Sequence, residues 1–583
     1  MFHSNRPLMC ETYQGTADTA PASKAGSFTL LGGTDGDGIS IIDTAALYGA
    51  GSDGPGRFAR FRSSGAIAPG SAGVAGELGG WQLIFASMPF GTFSGTSSTY
   101  GVMWSLAADE NATAVALTDI GCMQPGSTVY NCCGFAVDLI QRTPSAPSQI
   151  YSPGVFLVDP NSDANTITVN TASTTGATPR FSEIWMAVCN GNGATASTIP
   201  VPISSVGTAT TLTSATLNTS IAGTFTLLNN PPLLNVQIQS TGAITANTIT
   251  PVPFTATPLV DNYSKFNVSA SQYTVPLPGN YLLHANVIYA TDWDVGQGVV
   301  GFSVASNVYW GGSYNATPPG AQNTGISVTK ILDLHAGDVV EVVTETSTAS
   351  QFGNANVSHF IMSWLTPINS GTQAWTPPDV TGFQFMAGNP PGVNPPGQTG
   401  LVTLFNSKLA NDVNFLLNRP YCTVHQTTAQ SGLSVGAWHP VTMGSTVGLV
   451  HGGVGDNYAG WSTAGNHYVA PVNGWYLAVA EYNAATITTT NSYNMMIAGF
   501  SVPTSGGVTS PTTGDAPPDW FQHMLVANGW TYPTGVTAMN VYYLLAGETI
   551  APVAQYQSGT ASTWATDVSH GFDSHFNVVW LSN

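Results

Sequence analysis

Residues Asp261–Ala290 read DNYSKFNVSASQYTVPLPGNYLLHANVIYA, and Asp456–Ala485 read DNYAGWSTAGNHYVAPVNGWYLAVAEYNAA. The two stretches align without a gap through Tyr281 and Tyr476. Asn262 falls on Asn457, Tyr263 on Tyr458, Tyr273 on Tyr468, Pro276 on Pro471 and Gly279 on Gly474. Further landmarks follow in the same order. GFSV at Gly301 recurs at Gly499, and LHAGDVVEV around Gly337 returns as LLAGETIAP around Gly547. SHFIMSWL from Ser358 becomes SHFNVVWL from Ser574, which sets Trp364 over Trp580. One domain is written twice.

The physics of that domain is legible in either copy. Beyond the turn at Pro278 and Gly279, residues Tyr281, Leu283, Ala285, Val287 and Tyr289 alternate to one side, as Tyr476, Ala478, Ala480, Tyr482 and Ala484 do in the second copy. Successive side chains on a strand point to opposite faces, so this set predicts the core of a sandwich. The other face carries His284 and Asn286, or Val479 and Glu481, and is expected toward solvent or a neighbouring subunit. The AGD turn leads into a strand whose Val340 and Val342 face inward; Pro552 replaces Val342 in the second copy and predicts an edge or a bulge there. The closing strand is expected to bury Phe360, Met362 and Trp364, or Phe576, Val578 and Trp580.

This succession resembles the complement globular-head and tumour necrosis factor superfamily: a P-x-P-G-x-Y turn before a long strand, GFSV, L-x-L-x-x-G-D-x-V, and a closing F-x-x-x-W-L. The resemblance covers Leu233–Pro367 and Gly436–Asn583, roughly half of the chain. It implies jelly-roll sandwiches that assemble as compact trimers and present ligand-binding loops, with no catalytic residue in the signature. Such modules are also similar to domains of phage minor tail proteins and fibres. The animal proteins' collagen-like stalk is missing, and the opening MFHSNRPLMCETYQG has neither the apolar core nor the small-residue cleavage site of a signal peptide. The resulting expectation is a virion component, made in the host cytoplasm without export. It would be a homotrimeric phage minor tail or tail-tip protein, whose partners are other tail or virion proteins and a host-envelope glycan or receptor.

Composition sets the wider frame. At 583 residues the chain suggests roughly three domains of ~150 residues each. Charged residues make up only 7%, where about a quarter is usual, yet 14 Trp, 21 Tyr and 24 Phe point away from disorder and toward strands. The fold class read from this is all-β. Residues 1–190 form an N-terminal β-sandwich with strand-like runs WQLIFASM, YGVMWSLAAD, GFAVDLIQ and SEIWMAVCN; its glycine-punctuated strands look weakly lectin-like, and its role would be attachment or extension. A Thr/Ser/Ala-rich linker follows at 191–230, a first jelly roll at 231–367, a Pro/Gly-rich linker at 368–400, and a helix plus second jelly roll at 401–583. The helix, about 402–418, is predicted from Val402, Phe405, Leu409, Val413 and Leu416 and is ended by Pro420.

Several function classes fall away. Thirty acids stand against 11 bases, for a net charge of −19; the densest basic cluster is Arg57, Arg60 and Arg62, so nucleic acid is not an expected partner. No run approaches the ~20 apolar residues of a membrane span, so no membrane insertion is expected. Cys10, Cys122, Cys132, Cys133, Cys189 and Cys422 contain no CxxC and suggest reduced, buried thiols, with a pair inside the first domain left open. Phosphate-loop, nucleophile-elbow, zincin and dinucleotide motifs are missing, so no catalytic residue or cofactor is nominated and the chain is read as not an enzyme.

The remaining candidates are few. Asp159, Asn161 and Asp163 open like a calcium loop, but Ala164 and Asn170 stand where that loop needs Gly and Glu, which leaves an Asx-rich turn as the alternative. His570, Asp573 and His575 read as a metal trio by composition or as a capped strand entrance. Asp261 and Asp456 would line a calcium or sugar site, or simply make turns. Trp310 and Tyr314, with Trp520 and Phe521, are the candidates for stacking on a sugar, and equally for interface or core. The rivals to adhesion are a head-fibre or capsid-decoration protein, an envelope-glycan-degrading enzyme with its site in the first domain, and a secreted lectin.

Overall fold

The computed structural model describes most of residues 231–368 and 419–582. Before them it describes the strands between 8 and 187 by their backbone pairing, with the side chains of Leu83, Val137 and Leu139. The chain is all-β and divides into three units, each a pair of antiparallel sheets. The helix expected at 402–418 lies outside the described residues but for Phe415, whose ring meets Trp580 edge-on at 5.0 Å.

In the first unit, β1 (Leu8–Gln14), β2 (Ala22–Ser23), β5 (Gly80–Pro89), β8 (Cys133–Arg142) and β10 (Ser182–Ala187) form one sheet in the order β8-β5-β10-β1-β2. The other follows the path β7-β6-β9-β4-β3, from β3 (Ser40–Ile42), β4 (Gly56–Ala59), β6 (Tyr100–Ala107), β7 (Ala116–Met123) and β9 (Tyr151–Val158). The second unit contains β11 (Leu233–Gln237), β12 (Val260–Asp261), β13 (Phe266–Asn267), β14 (Gln272–Thr274), β15 (Gly279–Ile288), β16 (Gly296–Val304), β17 (Asn307–Ala316), β18 (Gly325–Leu334), β19 (Val339–Thr346) and β20 (His359–Thr366). Its sheets run β18-β15-β20-β11-β12 and β17-β16-β19-β14-β13. The third unit has β21 (Tyr421–His425), β22 (Trp461–Ser462), β23 (His467–Val469), β24 (Gly474–Ala484), β25 (Asn494–Ser501), β26 (Phe521–Val526), β27 (Thr534–Leu544), β28 (Thr549–Ser558) and β29 (His575–Ser582). Here the orders are β27-β24-β29-β21 and β26-β25-β28-β23-β22. Taken strand by strand, all three units share one arrangement, that of a jelly-roll sandwich, except that an isolated bridge between Cys422 and Asp456 stands in the third unit where β2 and β12 stand in the others.

Alternation decides what the sandwiches bury. Tyr281, Leu283, Ala285 and Val287 of β15 meet Val300, Phe302 and Val304 of β16 and Val340 and Val342 of β19 in one core, closed by Phe360, Met362 and Trp364. The third unit repeats this with Tyr476, Ala478, Ala480 and Tyr482 against Met496, Ala498, Phe500, Phe576, Val578 and Trp580. The two tryptophans have matching surroundings. Trp364 donates its Nε1–H to the Pro278 carbonyl at 3.3 Å, and Trp580 donates to Asn473, the aligned residue, at 3.2 Å. The indole of Trp364 fills the space where a Cβ on Gly279 would stand. Tyr281 and Tyr476 each donate to the carbonyl four residues earlier, Leu277 and Val472, at 2.7 Å. The closing strand bulges at the same register in both units, between Asn280/Tyr281 and between Trp475/Tyr476.

The shared Asp-Asn pair is structural in both units. Asn262 Oδ1 accepts Leu233 N–H at 2.8 Å while its Nδ2 donates to Pro231 O at 2.6 Å. Asn457 does the same for Tyr421 N–H and Arg419 O, both at 2.9 Å. Asp261 and Asp456 each accept the backbone N–H five residues on, Phe266 or Trp461, at 2.7 Å. Between those partners the chain takes positive φ at Ser264 (52°) and Ala459 (54°). Pro552 sits on the inner strand β28 rather than on an edge. It falls at a break in one ladder, since β23 pairs with residues 549–550 and the next pairing begins at Val553. No ladder hydrogen bond is lost there.

Candidate functional site

The structure disperses the residues nominated from sequence. Trp310 is 6% exposed and packs with Val299 and Val343 on the face of β16 and β19 turned away from the core. It is a packed side chain, not a presented ring. Tyr314 lies on β17 and Phe521 opens β26, paired with Gly298 and Gly499 respectively; their side chains, together with Trp520, lie outside the described residues. So do Asp159, Asn161, Asp163, His570 and Asp573. His575 is buried on β29. Asp456 is largely enclosed, and burial raises its carboxyl above the usual range against the pull of the backbone N–H groups of Trp461, Gly460, Tyr458 and Ala459. Among the described residues, no three His, Cys, Asp or Glu side chains come together in a way that could hold a metal ion.

The outward faces of the inner sheets do come together. Leu282, Ile331 and Ile361 of the second unit join Leu477, Val479, Met539, Val541 and Val579 of the third, and Leu83, Val137 and Leu139 of the first, in one buried apolar cluster. The polar residues on these faces are buried as well. His284 Nδ1 lies 2.8 Å from Thr329 Oγ1, and its ring is 5.4 Å from that of His359. Burial holds the His359 imidazole down at about 4, with the Val137 backbone of the first unit acting in the opposite direction. Asn235 donates to the Leu139 carbonyl at 3.1 Å. A buried ion pair crosses between the second and third units: Lys330 Nζ reaches Glu481 Oε2 at 2.7 Å, both side chains almost fully enclosed.

Lys330 is the residue that sequence reasoning missed. It occupies an inward position in the series Ile326, Val328, Leu332 and Leu334, where a charge breaks the pattern. That break was the available signal. β18 is the edge strand of its sheet, and from there the long side chain reaches Glu481 of the next unit. Backbones also approach closely here, since a Cβ on Gly311 would collide with Glu481, Val328 and Lys330, and one on Gly535 with the Gly311 carbonyl.

At one end of this junction lies a more open polar cluster. His335 and His451, from the loop after β18 and from the loop before Asp456, stack with ring centroids 3.7 Å apart and planes at 7°. His451 Nε2 lies 2.7 Å from Asp338 Oδ2. Asp333 accepts the backbone N–H groups of Val450 (2.8 Å) and His451 (3.0 Å). Both carboxylates are engaged in holding the loops together, so the cluster works as a clasp between units.

No family model matches the chain, and no curated protein matches it. Solved structures similar to part of it include the globular domain of zebrafish complement 1qA protein, at 16% identity and TM-score 0.18, over 23% of this chain and 98% of that one. Eiger TNF from S. frugiperda is similar at 14% identity and TM-score 0.20, over 25% and 99%. Murine APRIL is similar at 13% identity and TM-score 0.19, over 23% and 98%.

Proposed function

We propose that the chain is a non-enzymatic structural protein of a virus particle, a phage minor tail or tail-tip protein whose outward loops contact a glycan or receptor of the host envelope. The observation that carries this reading is the shared buried face of the three sandwiches. Each inner sheet contributes outward side chains to it, and the loops and outer sheets are what we assign to partners. Such a build suits a rigid presentation platform. The low charged fraction of 7% fits close packing between neutral polar and apolar surfaces, where interface cores are depleted in charge. Partners on this reading are other virion proteins and envelope glycan, and the place of action is the virion.

A head-fibre or decoration role without a receptor is the second reading, and the packing of Trp310 favours it, because one of the proposed sugar-stacking rings is already occupied. Antibody labelling of particles and adsorption tests separate the two. Labelling at the tail tip, with purified chain blocking adsorption, supports the first reading. Labelling on the head, with no effect on adsorption, replaces it with the second. Release of soluble sugar from purified envelopes would overturn both.

A further inference from the structure

We infer that this chain is a complete threefold jelly-roll assembly by itself and exists in solution as a single chain. The trimer that the resemblance leads one to expect from three copies is met here by three units of one polypeptide.

Three observations on different parts of the molecule support this. The first unit, read from sequence as a weakly lectin-like sandwich, has the strand order of the second in both of its sheets, and that of the third apart from the two-residue edge strand. Next, the contacts between units form a ring. The edge strand β7 of the first unit lies against β18 of the second, β17 of the second against β27 of the third, and β26 of the third against β8 of the first. Each junction joins the same two strand positions, so the interface is head-to-tail and closes after three steps, the hallmark of cyclic threefold symmetry. Finally, the axial cluster takes residues from equivalent strands of all three: Leu83, Leu282 and Leu477 from β5, β15 and β24, and Val137, Ile331 and Met539 from β8, β18 and β27. With all three places taken, the axial contacts that three separate copies would make are already made within the one chain.

Two physical consequences follow. Joining the units in one chain turns association into an intramolecular step with an effective concentration on the order of millimolar, so dilution does not separate them. The junctions are also chemically distinct. The Lys330–Glu481 pair and the His335–His451 clasp belong to the junction of the second and third units, whereas in a trimer of identical chains every feature would occur three times. A partner that reads this junction therefore meets one site per assembly.

The test is the mass of the full chain by native mass spectrometry and by light scattering, across a hundredfold range of concentration. A second sample is prepared by unfolding and refolding together equal amounts of isotopically light and heavy chain. The inference predicts the one-chain mass of 60.5 kDa at every concentration, with only all-light and all-heavy species. A species of three chains, or any species containing both isotopes, overturns it.

Discussion

Replacing Lys330 by Met removes one member of an ion pair whose two side chains are 3% and 0% exposed. The Glu481 carboxylate would then stay buried without its cation, still accepting from Asn483 Nδ2 at 3.2 Å. Leaving a buried charge without its partner costs about 3–5 kcal/mol, whereas exchanging both members for apolar side chains is close to neutral. K330M and E481L should therefore each destabilise by about 3–5 kcal/mol, and K330M/E481L should recover to within about 1–2 kcal/mol of the parent. In a unit of this size that corresponds to about 10 °C in midpoint for each single variant. The assay is a double-mutant cycle by urea denaturation and calorimetry. Because solvent does not reach the pair, 1 M NaCl should leave the coupling almost unchanged, where a surface pair would be screened. Single-variant losses below about 1 kcal/mol, or a double variant worse than either single one, would refute the reasoning that the pair is buried between units.

Three further outcomes are expected. Asn262→Ala and Asn457→Ala should cost similar amounts, about 1–3 kcal/mol each, because both leave a buried backbone N–H unpaired at the start of a sheet; denaturation midpoints of the two variants check this. His359 is held near 4 when folded against an ordinary 6.5, so the unfolded chain takes up its proton first. Its contribution is full above about pH 6.5 and is lost as pH falls toward 4, up to about 3 kcal/mol. His359→Gln should flatten that part of the stability–pH curve relative to the parent. The Cys422 thiol is buried, and burial, together with the Asp456 charge, pushes it well above its ordinary value. Labelling of Cys422 by a thiol reagent at pH 8, followed on its own peptide by mass spectrometry, should consequently report opening of the third unit and speed up in step with denaturant.

The sequence was most informative where alternation coincides with a repeated landmark. Tyr281 and Tyr476, or Trp364 and Trp580, announce their core by recurring at a fixed offset, and the structure gives each pair the same hydrogen-bond partner position. The outward set of His284, Asn286, Val479 and Glu481 was legible only as facing solvent or a neighbour, because period-two patterning gives a face without naming what covers it. That cover is the other units. The first unit was readable as strands, with WQLIFASM in β5 and SEIWMAVCN around β10, but not as a third copy. It lacks the Asp-Asn-Tyr and Pro-x-Pro-Gly-x-Tyr signatures, and strand order is kept by backbone pairing that many side-chain sets satisfy. The proposed sugar platform suffered from the converse problem. An aromatic in a polar strand such as Trp310 looks presented in sequence, while its packing depends on neighbours far along the chain.

Small-angle scattering of the purified chain tests the central claim, the condensation of three sandwiches on one axis, most directly. A single compact body of 583 residues has a radius of gyration of about 25 Å. The account predicts that value together with the forward scattering of one chain. Scattering from three chains, or one-chain scattering with a radius above about 35 Å, as for sandwiches strung apart on their linkers, would contradict it.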